Sequence, residues 1–390
     1  MRRTAWIAWT LLAAVVVAAP AARAALWPKA PELNARAWVL LDARSGKVVT
    51  GHNADEELPP ASLTKMMTLY LIFEDLRLGR LALDERVSVS RKAWKIGGST
   101  MFLDPRMKPT VEELIHGIAT YSGNDACIAM AEHIAGTEEA FADRMNEKAG
   151  ALGLHHTHFV NATGFPVDGH YSSARDMALL GAALWRDFPK YYKIFSEKSY
   201  TFNGRRQYNR NRLLWSMPGV DGIKTGHTRA AGYCLVASMQ QGDTRFVSAI
   251  FGARSDRARA ALSKSLLKYG FRNFVSVRPA VHDLRREVEV FGGADNHVWL
   301  IPAAPVWITV PKGYQRKVAF DLTYPAPLTA PLSKGRKVGE IRATVTDERG
   351  RRHTLATVPM VTAAAVGEAG WFGRMVDRIR LMFRDAPEGG

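Results

Sequence analysis

Pro59-Pro60-Ala61-Ser62-Leu63-Thr64-Lys65-Met66-Met67 is the stretch on which the reading of this chain turns. The two prolines end an extended approach, and apolar residues then recur at helical spacing to about Leu78, so the serine opens a helix. Ser62 and Lys65, three residues apart, project from one face and can share a hydrogen bond. A hydroxyl beside an amine suits a serine activated by a neutral lysine. The free N–H groups and positive dipole end of a helix start can also stabilise a developing oxyanion. Spacing alone is weak evidence, because Ser265-Leu-Leu-Lys268 repeats it inside an ordinary amphipathic helix.

Upstream, the segment from Ala37 through Trp38-Val-Leu-Leu-Asp and on to Val49 reads as an antiparallel hairpin turning at Ser45-Gly46. Downstream, Thr110 with Glu113 and Ser173 with Asp176 fit capping boxes that open further helices. Past Lys224 the texture changes to strands, Gly232 to Ser238 and Arg245 to Gly252 around a Gln241-Gly242-Asp243 turn, followed by an amphipathic helix over 255–269. A sheet flanked by its first and last helices, with a helical insertion between hairpin and later strands, predicts an α/β or α+β domain over 25–278. From 279 to 363 helical patterns give way to short alternating runs such as 318–324 and 341–346 between Pro/Gly turns, which predicts a small all-β domain.

The two ends bear on location and partners. Arg2 and Arg3 precede an apolar run and an Ala22-Arg23-Ala24 cleavage pattern, so residues 1–24 read as a secretory signal peptide, the competing reading being an uncleaved anchor. Residues 364–370 read as a tether. From Trp371 to Arg384, Trp371, Phe372, Met375, Val376, Ile379, Met382 and Phe383 share a sector of roughly 140° at about 100° per residue. Arginines hold the opposite side. That helix fits in-plane docking on an anionic inner-membrane lipid surface, the alternative being packing on the β domain.

With 390 residues, 47% hydrophobic and 23% charged, the chain is neither disordered nor a disulfide scaffold. Its net charge of +16 favours anionic partners. No nucleic-acid motif occurs, and a basic exported protein does not meet chromosomal DNA. The two cysteines, Cys127 and Cys234, form either one bridge or two separate buried thiols. His155, His156 and His158 lack a partner at ligand spacing and read as a solvated loop, so no metal or other cofactor is expected.

Two further motifs follow the serine in order: Ser122-Gly-Asn124 in the helical insertion and Lys224-Thr-Gly226 at the head of a strand. The set resembles that of the penicillin-interacting serine acyltransferases, S-x-x-K, S-x-N and K-T-G. Within them it is most similar to the exported D-alanyl-D-alanine carboxypeptidases, through Ala61-Ser-Leu-Thr-Lys-Met-Met67, Ser122-Gly-Asn-Asp-Ala-Cys127, Tyr171-Ser-Ser-Ala-Arg-Asp-Met177 and Val220-Asp-Gly-Ile-Lys-Thr-Gly-His-Thr228. The similarity spans nearly the whole chain after residue 24. It implies a β-lactamase/transpeptidase-like domain, peptidoglycan stem peptides as substrate, inhibition by β-lactams and a periplasmic location.

It also implies roles. Ser62 would be the nucleophile, and Lys65 its base, deprotonated by burial near the cation Lys224. Ser122 would relay a proton and Asn124 would orient the substrate amide and Lys65. Lys224 and Thr225 would bind the terminal carboxylate, Gly226 would let substrate approach the strand, and the N–H groups of Ser62 and His227 would form an oxyanion hole. Arg206 resembles a position near the carboxylate pocket, with a surface salt bridge as its alternative. Asp176 either caps its helix or touches substrate.

Competing reactions share this set. A β-lactamase of class A needs a Glu-x-x-Leu-Asn loop, absent here, and usually carries Ser-Asp-Asn as its second motif. D,D-endopeptidase or transpeptidase action uses the same chemistry. A non-catalytic wall-binding protein is disfavoured because every reactive side chain is present.

Overall fold

The computed structural model describes residues 26–325 and 327–371. The export signal and the tail helix beyond Trp371 lie outside the described residues.

Strand β1 (Ala37–Asp42) is buried throughout. Val39 and Leu41 face one helical layer while Trp38 and Leu40 face another, because successive side chains alternate and both faces of the sheet are covered. It pairs antiparallel with β2 (Val48–His52), forming the expected hairpin. The helical block follows: α1 (Lys65–Arg77), α2 (Arg91–Lys95), α3 (Val111–His116), α4 (Asn124–Ala135), α5 (Glu138–Ala151) and α6 (Ala174–Asp187).

The capping box of α3 forms as expected: Thr110 accepts from the Glu113 N–H and Glu113 from the Thr110 N–H. At α6 only half of it forms. Ser173 accepts from the Asp176 N–H, but the Asp176 carboxylate turns away to accept from His156 N and Thr157 Oγ1, both at 2.7 Å. It ties the histidine loop to the helix.

After α7 (Pro189–Tyr192), the hairpin β3 (Ser199–Phe202) and β4 (Arg205–Tyr208), and the single turn α8 (Leu213–Ser216), the sheet resumes with β5 (Val220–Thr228), β6 (Gly232–Gln241) and β7 (Thr244–Ala253). Its order is β2-β1-β7-β6-β5, every neighbouring pair antiparallel. Helix α9 (Asp256–Asn273) packs Leu266, Leu267 and Phe271 on one face against Leu40, Phe246 and Ile250. It runs past the expected end at Tyr269 because Phe271 still packs on Phe246, ring centroids 4.9 Å apart. Each such side chain contributes roughly 1.5–3 kcal/mol by leaving water.

The second domain has its own core, with Val290, Leu300, Ile341 and Met360 among its members. Its strands are β9 (Arg286–Phe291), β10 (His297–Pro302), β12 (Val318–Thr323), β13 (Leu328–Thr329), β14 (Lys337–Thr346) and β15 (Arg352–Thr362), in the order β12-β14-β15-β10-β9-β13. One turn of helix, α10 (Val281–Leu284), was not anticipated beyond Pro279; Leu284 anchors it in this core. The junction is a built contact. Strand β8 (Phe274–Val277) pairs with β11 (Ile308–Pro311), and the buried Asp42 carboxylate accepts from Ser276 Oγ and Thr309 Oγ1, each at 2.7 Å. Among the described residues no helix is long and apolar enough to cross a membrane.

Candidate active site

Residues Ala61–Thr64 form a 3-10 turn that runs straight into α1. With three residues per turn, positions i and i+3 eclipse. Ser62 and Lys65 are therefore brought together, Nζ lying 3.0 Å from Oγ. Lys65 is fully buried, and Nζ also lies 2.7 Å from Asn124 Oδ1 and 2.5 Å from the Thr163 carbonyl oxygen. Burial pushes its pKa down to about 8, helped by the charge of Arg210. The three neighbours suit a neutral amine: its two N–H groups donate to Asn124 and Thr163, leaving the lone pair for the Ser62 hydroxyl proton.

Lys224, at 3% exposure, donates only to the Thr225 carbonyl at 3.1 Å. Burial, and then the charge of Lys65, push it well below the usual lysine range. Desolvation is the larger cause at both lysines; the two ammonium charges also disfavour one another, and Arg210 adds to the effect on Lys65.

The second motif follows a distortion. Residues Gly117–Tyr121 widen into a π-turn, and Ser122 adopts a left-handed φ of 67°. Its Oγ is buried and has no partner within the protein. An unsatisfied buried hydroxyl costs about 1–3 kcal/mol, which a substrate atom can recover. Asn124 is fixed from both sides: Nδ2 donates to the Gly97 carbonyl at 2.8 Å and Oδ1 faces Lys65. Asp125 accepts from the N–H groups of Met101 at 2.9 Å and Leu103 at 3.0 Å, holding the 97–103 segment as a wall of the cleft.

The third motif lies on β5 against the serine turn. A Cβ on Gly226 would come within 2.9 Å of the Pro60 carbonyl oxygen and 3.3 Å of the Leu63 nitrogen. The missing side chain therefore seats the strand on the catalytic turn, whereas the sequence reading assigned that space to substrate. On the opposite side Gly164, at φ 83°, would place a Cβ 1.9 Å from the Ala61 carbonyl oxygen. Asn161 Oδ1 accepts from the Thr163 and Gly164 N–H groups, and this small turn aims the Thr163 carbonyl at Lys65.

These elements enclose a cleft of ≈ 620 Å³ lined by Ser62, Ser122, Thr225, Gly226 and His227 together with Arg210, Arg212 and Arg259. The His227 ring is exposed and lies on Tyr233, centroids 4.0 Å apart. Arg206 is not among the lining residues. It sits exposed on β4, donates to Ser199 Oγ at 3.0 and 3.1 Å, and covers the Tyr208 ring. The hairpin turns that side chain outward, and the chain only returns to the cleft after Tyr208. Arg210 then lines the cleft and donates to Ser99 Oγ at 2.7 Å.

Arg259 arrives from α9, buried, donating to the Gly226 carbonyl at 3.0 Å and to Asp256 at 2.5 Å. Three guanidinium groups facing a single lining carboxylate, Asp256, make this end a receptor for an anion. Sequence reading missed Arg210, Arg259 and Thr163. Only Arg259 left a signal, an arginine on the apolar face of an amphipathic helix.

Cys127 and Cys234 are separate buried thiols. Burial pushes Cys127 up to about 12, so it is an inert neighbour of Lys65. The histidine loop is spent on local contacts, His158 Nδ1 lying 2.7 Å from the Gly169 carbonyl oxygen. Among the described residues no group of His, Cys, Asp or Glu is arranged to hold a metal.

Comparison with known proteins supplies the family. Residues 24–255 match the D-alanyl-D-alanine carboxypeptidase family, and residues 280–368 match the C-terminal domain of penicillin-binding protein 5. The chain belongs to the D-alanyl-D-alanine carboxypeptidase family. Among family members, DacA of Escherichia coli K12 is 43% identical over 367 residues, covering 91% of this chain and 89% of that protein. DacC of the same strain is 44% identical over 365 residues, covering 91% and 90%.

The crystal structure of penicillin-binding protein 5 from Haemophilus influenzae superposes with a TM-score of 0.82 at 38% identity, covering 87% of this chain and 99% of that one. Penicillin-binding protein D2 from Listeria monocytogenes, solved in its ampicillin-bound form, superposes with a TM-score of 0.57 at 30% identity, covering 61% and 98%. These matches place both domains in the family, and the serine turn and its two companion motifs fall within the residues matched by its carboxypeptidase part.

Proposed function

We infer that this protein is a serine D,D-carboxypeptidase that removes the terminal D-alanine from peptidoglycan pentapeptide stems and is acylated by β-lactams. The observation that carries the reading is the contact of Lys65 Nζ with Ser62 Oγ at 3.0 Å, at the foot of a cleft whose other end is cationic. The terminal carboxylate is held by Thr225 and the guanidinium end, which sets the preceding carbonyl over Ser62. Lys65 takes the hydroxyl proton as Oγ attacks, and the N–H groups of Ser62 and His227 receive the oxyanion. Ser122, otherwise unpartnered, passes a proton to the departing amine. The C–N bond breaks, D-alanine leaves, and water hydrolyses the ester.

The same geometry argues against a fast β-lactamase. The segment behind Ser62 and Lys65 presents a backbone carbonyl, that of Thr163, where a deacylating carboxylate would have to stand. The nearby Glu138 is already engaged by the Ala162 N–H at 3.0 Å and Lys92 at 2.9 Å. A penicilloyl adduct on Ser62 should therefore persist. Incubation with a defined pentapeptide is the test: tetrapeptide and free D-alanine are expected, with neither from Ser62→Ala. A cross-linked dimer as main product would make the protein a transpeptidase, and no product would make it a binding module.

We further propose that residues 1–24 direct export to the periplasm and that the 371–384 helix holds the enzyme on the anionic outer face of the inner membrane. The sequence patterns at the two ends and the basic net charge support this. Deleting 370–390 should move the enzyme to the soluble fraction with activity on small peptides intact. Retention in the membrane fraction would overturn the anchor.

A further inference from the structure

Beside the catalytic cleft lies a second groove of ≈ 500 Å³, walled by Trp215 and Arg212 on one side and by Arg257, Ala260, Ala261 and Lys264 of α9 on the other. We propose that this groove is a subsite for the carbohydrate backbone of peptidoglycan, holding a sugar next to the stem peptide being cut. It rests on the carboxypeptidase reading above.

Continuity is the first ground. Arg212 lines both the groove and the cleft. Its guanidinium bonds Asp256, and the other oxygen of that carboxylate accepts from Arg259 inside the cleft, so one ion-pair chain forms the partition. Whatever is bound at Ser62 and extends beyond the reacting dipeptide has this groove within its reach.

The lining chemistry is the second ground. Trp215 is 48% exposed, and the alanines opposite leave its indole uncovered. Another exposed indole, Trp299, is already capped by Arg285 at 4.4 Å and so is not a comparable opening. A flat aromatic face takes the C–H face of a pyranose ring, burying apolar area without demanding directional bonds. Of the three basic residues of the rim, Arg212 is paired with Asp256 in the partition, while Arg257 and Lys264 face no lining acid. Peptidoglycan matches both features, being a chain of sugar rings that bear carboxylate-containing peptides. The volume falls within the roughly 300–1,000 Å³ typical of small-ligand sites.

The consequence is selective. A stem peptide still attached to its glycan should bind more tightly than the free peptide, with the chemical step unchanged, because the extra contacts are equally present before and during reaction. Trp215→Ala and Arg257→Glu should each raise KM about tenfold for a disaccharide-linked pentapeptide, leaving kcat for that substrate and both constants for the free pentapeptide as in the parent. Equal changes for both substrates, or none for either, would overturn the proposal.

Calorimetric titration of the Ser62→Ala protein with the same two molecules reads binding apart from turnover. The disaccharide-linked peptide should bind more tightly, and adding Trp215→Ala should abolish the difference. Equal affinities for the two molecules would also overturn it. Failure of the parent to release D-alanine from the free pentapeptide would instead count against the carboxypeptidase reading, while the titration still decides the groove. Lys264→Gln, at a side chain that donates to the Ser216 carbonyl at 3.1 Å, serves as a second variant should Trp215→Ala melt early.

Discussion

Two concavities of nearly equal size lie in the first domain, and their charges are disposed in opposite ways. The catalytic cleft measures ≈ 620 Å³ and the other, between α1, α4 and α5, ≈ 590 Å³. In the second, charges answer one another. Asp75 accepts from Arg80 at 2.8 Å and Arg144 at 2.9 Å, Lys148 reaches Glu74 at 2.7 Å, and His133 meets Glu85 at 2.9 Å. In the cleft two lysines are buried without a counter-ion in contact, Ser122 Oγ lacks a partner, and guanidinium groups outnumber carboxylates. A self-satisfied cavity stabilises the fold. A cavity left short of anions and hydrogen-bond partners has interactions to offer a ligand.

The sharpest way to break this contrast is at Lys65. Lys65→Met should lower both D-alanine release and penicillin labelling by roughly 10³-fold or more, because the serine loses its base. The melting temperature should not fall. The folded-state pKa of about 8 lies below the unfolded value, so a charged amine at this site opposes folding in full at any pH below 8. Activity lost without stability gained or kept would contradict the account of the cleft.

Next in size is the pH dependence. Only the neutral amine can accept the serine proton, so the acylation rate should climb through an apparent pKa near 8. It should fall about 50-fold between pH 8 and pH 6. A flat profile over that interval would remove Lys65 as the base.

Arg210→Ala should follow, reducing kcat/KM by about 10–100-fold for a peptide with a free terminal carboxylate. The matching peptide amide should be nearly insensitive to the substitution. The smallest effect on activity belongs to the other cavity. Arg144→Ala should leave kcat/KM unchanged and lower stability by about 1–3 kcal/mol, since it strips one partner from the buried Asp75 while Arg80 keeps the other. A stability-neutral Arg144→Ala with altered turnover would blur the distinction between the two cavities.

Much of this was legible in the chain. The hairpin showed in the apolar run Trp38 to Leu41 followed by the Ser45-Gly46 turn, the α3 cap in Thr110 and Glu113, and the nucleophile with its amine in Ser62 and Lys65, all of them relations between residues a few positions apart. Arg210, Thr163 and the 97–103 wall were not legible, because each acquires its role through a partner far along the sequence: Thr163 meets Lys65 across 98 positions and Arg210 meets Ser99 across 111. Arg206 shows the same limit from the other side. The sequence left a place near the carboxylate pocket and a surface role both open, and the β3–β4 hairpin leaves its side chain exposed.

The order of the three motifs, the residue types they carry and the split into a mixed domain followed by a β domain were written in the amino-acid sequence, since periodicity and short-range chemistry are local properties. Folding alone decided that Arg210 also bears on Lys65, that Gly226 is needed by the serine turn, and that Ser122 is left wanting a partner. Proton affinity and hydrogen-bond satisfaction depend on what excludes water from a group, and those neighbours are supplied by segments the linear order keeps apart.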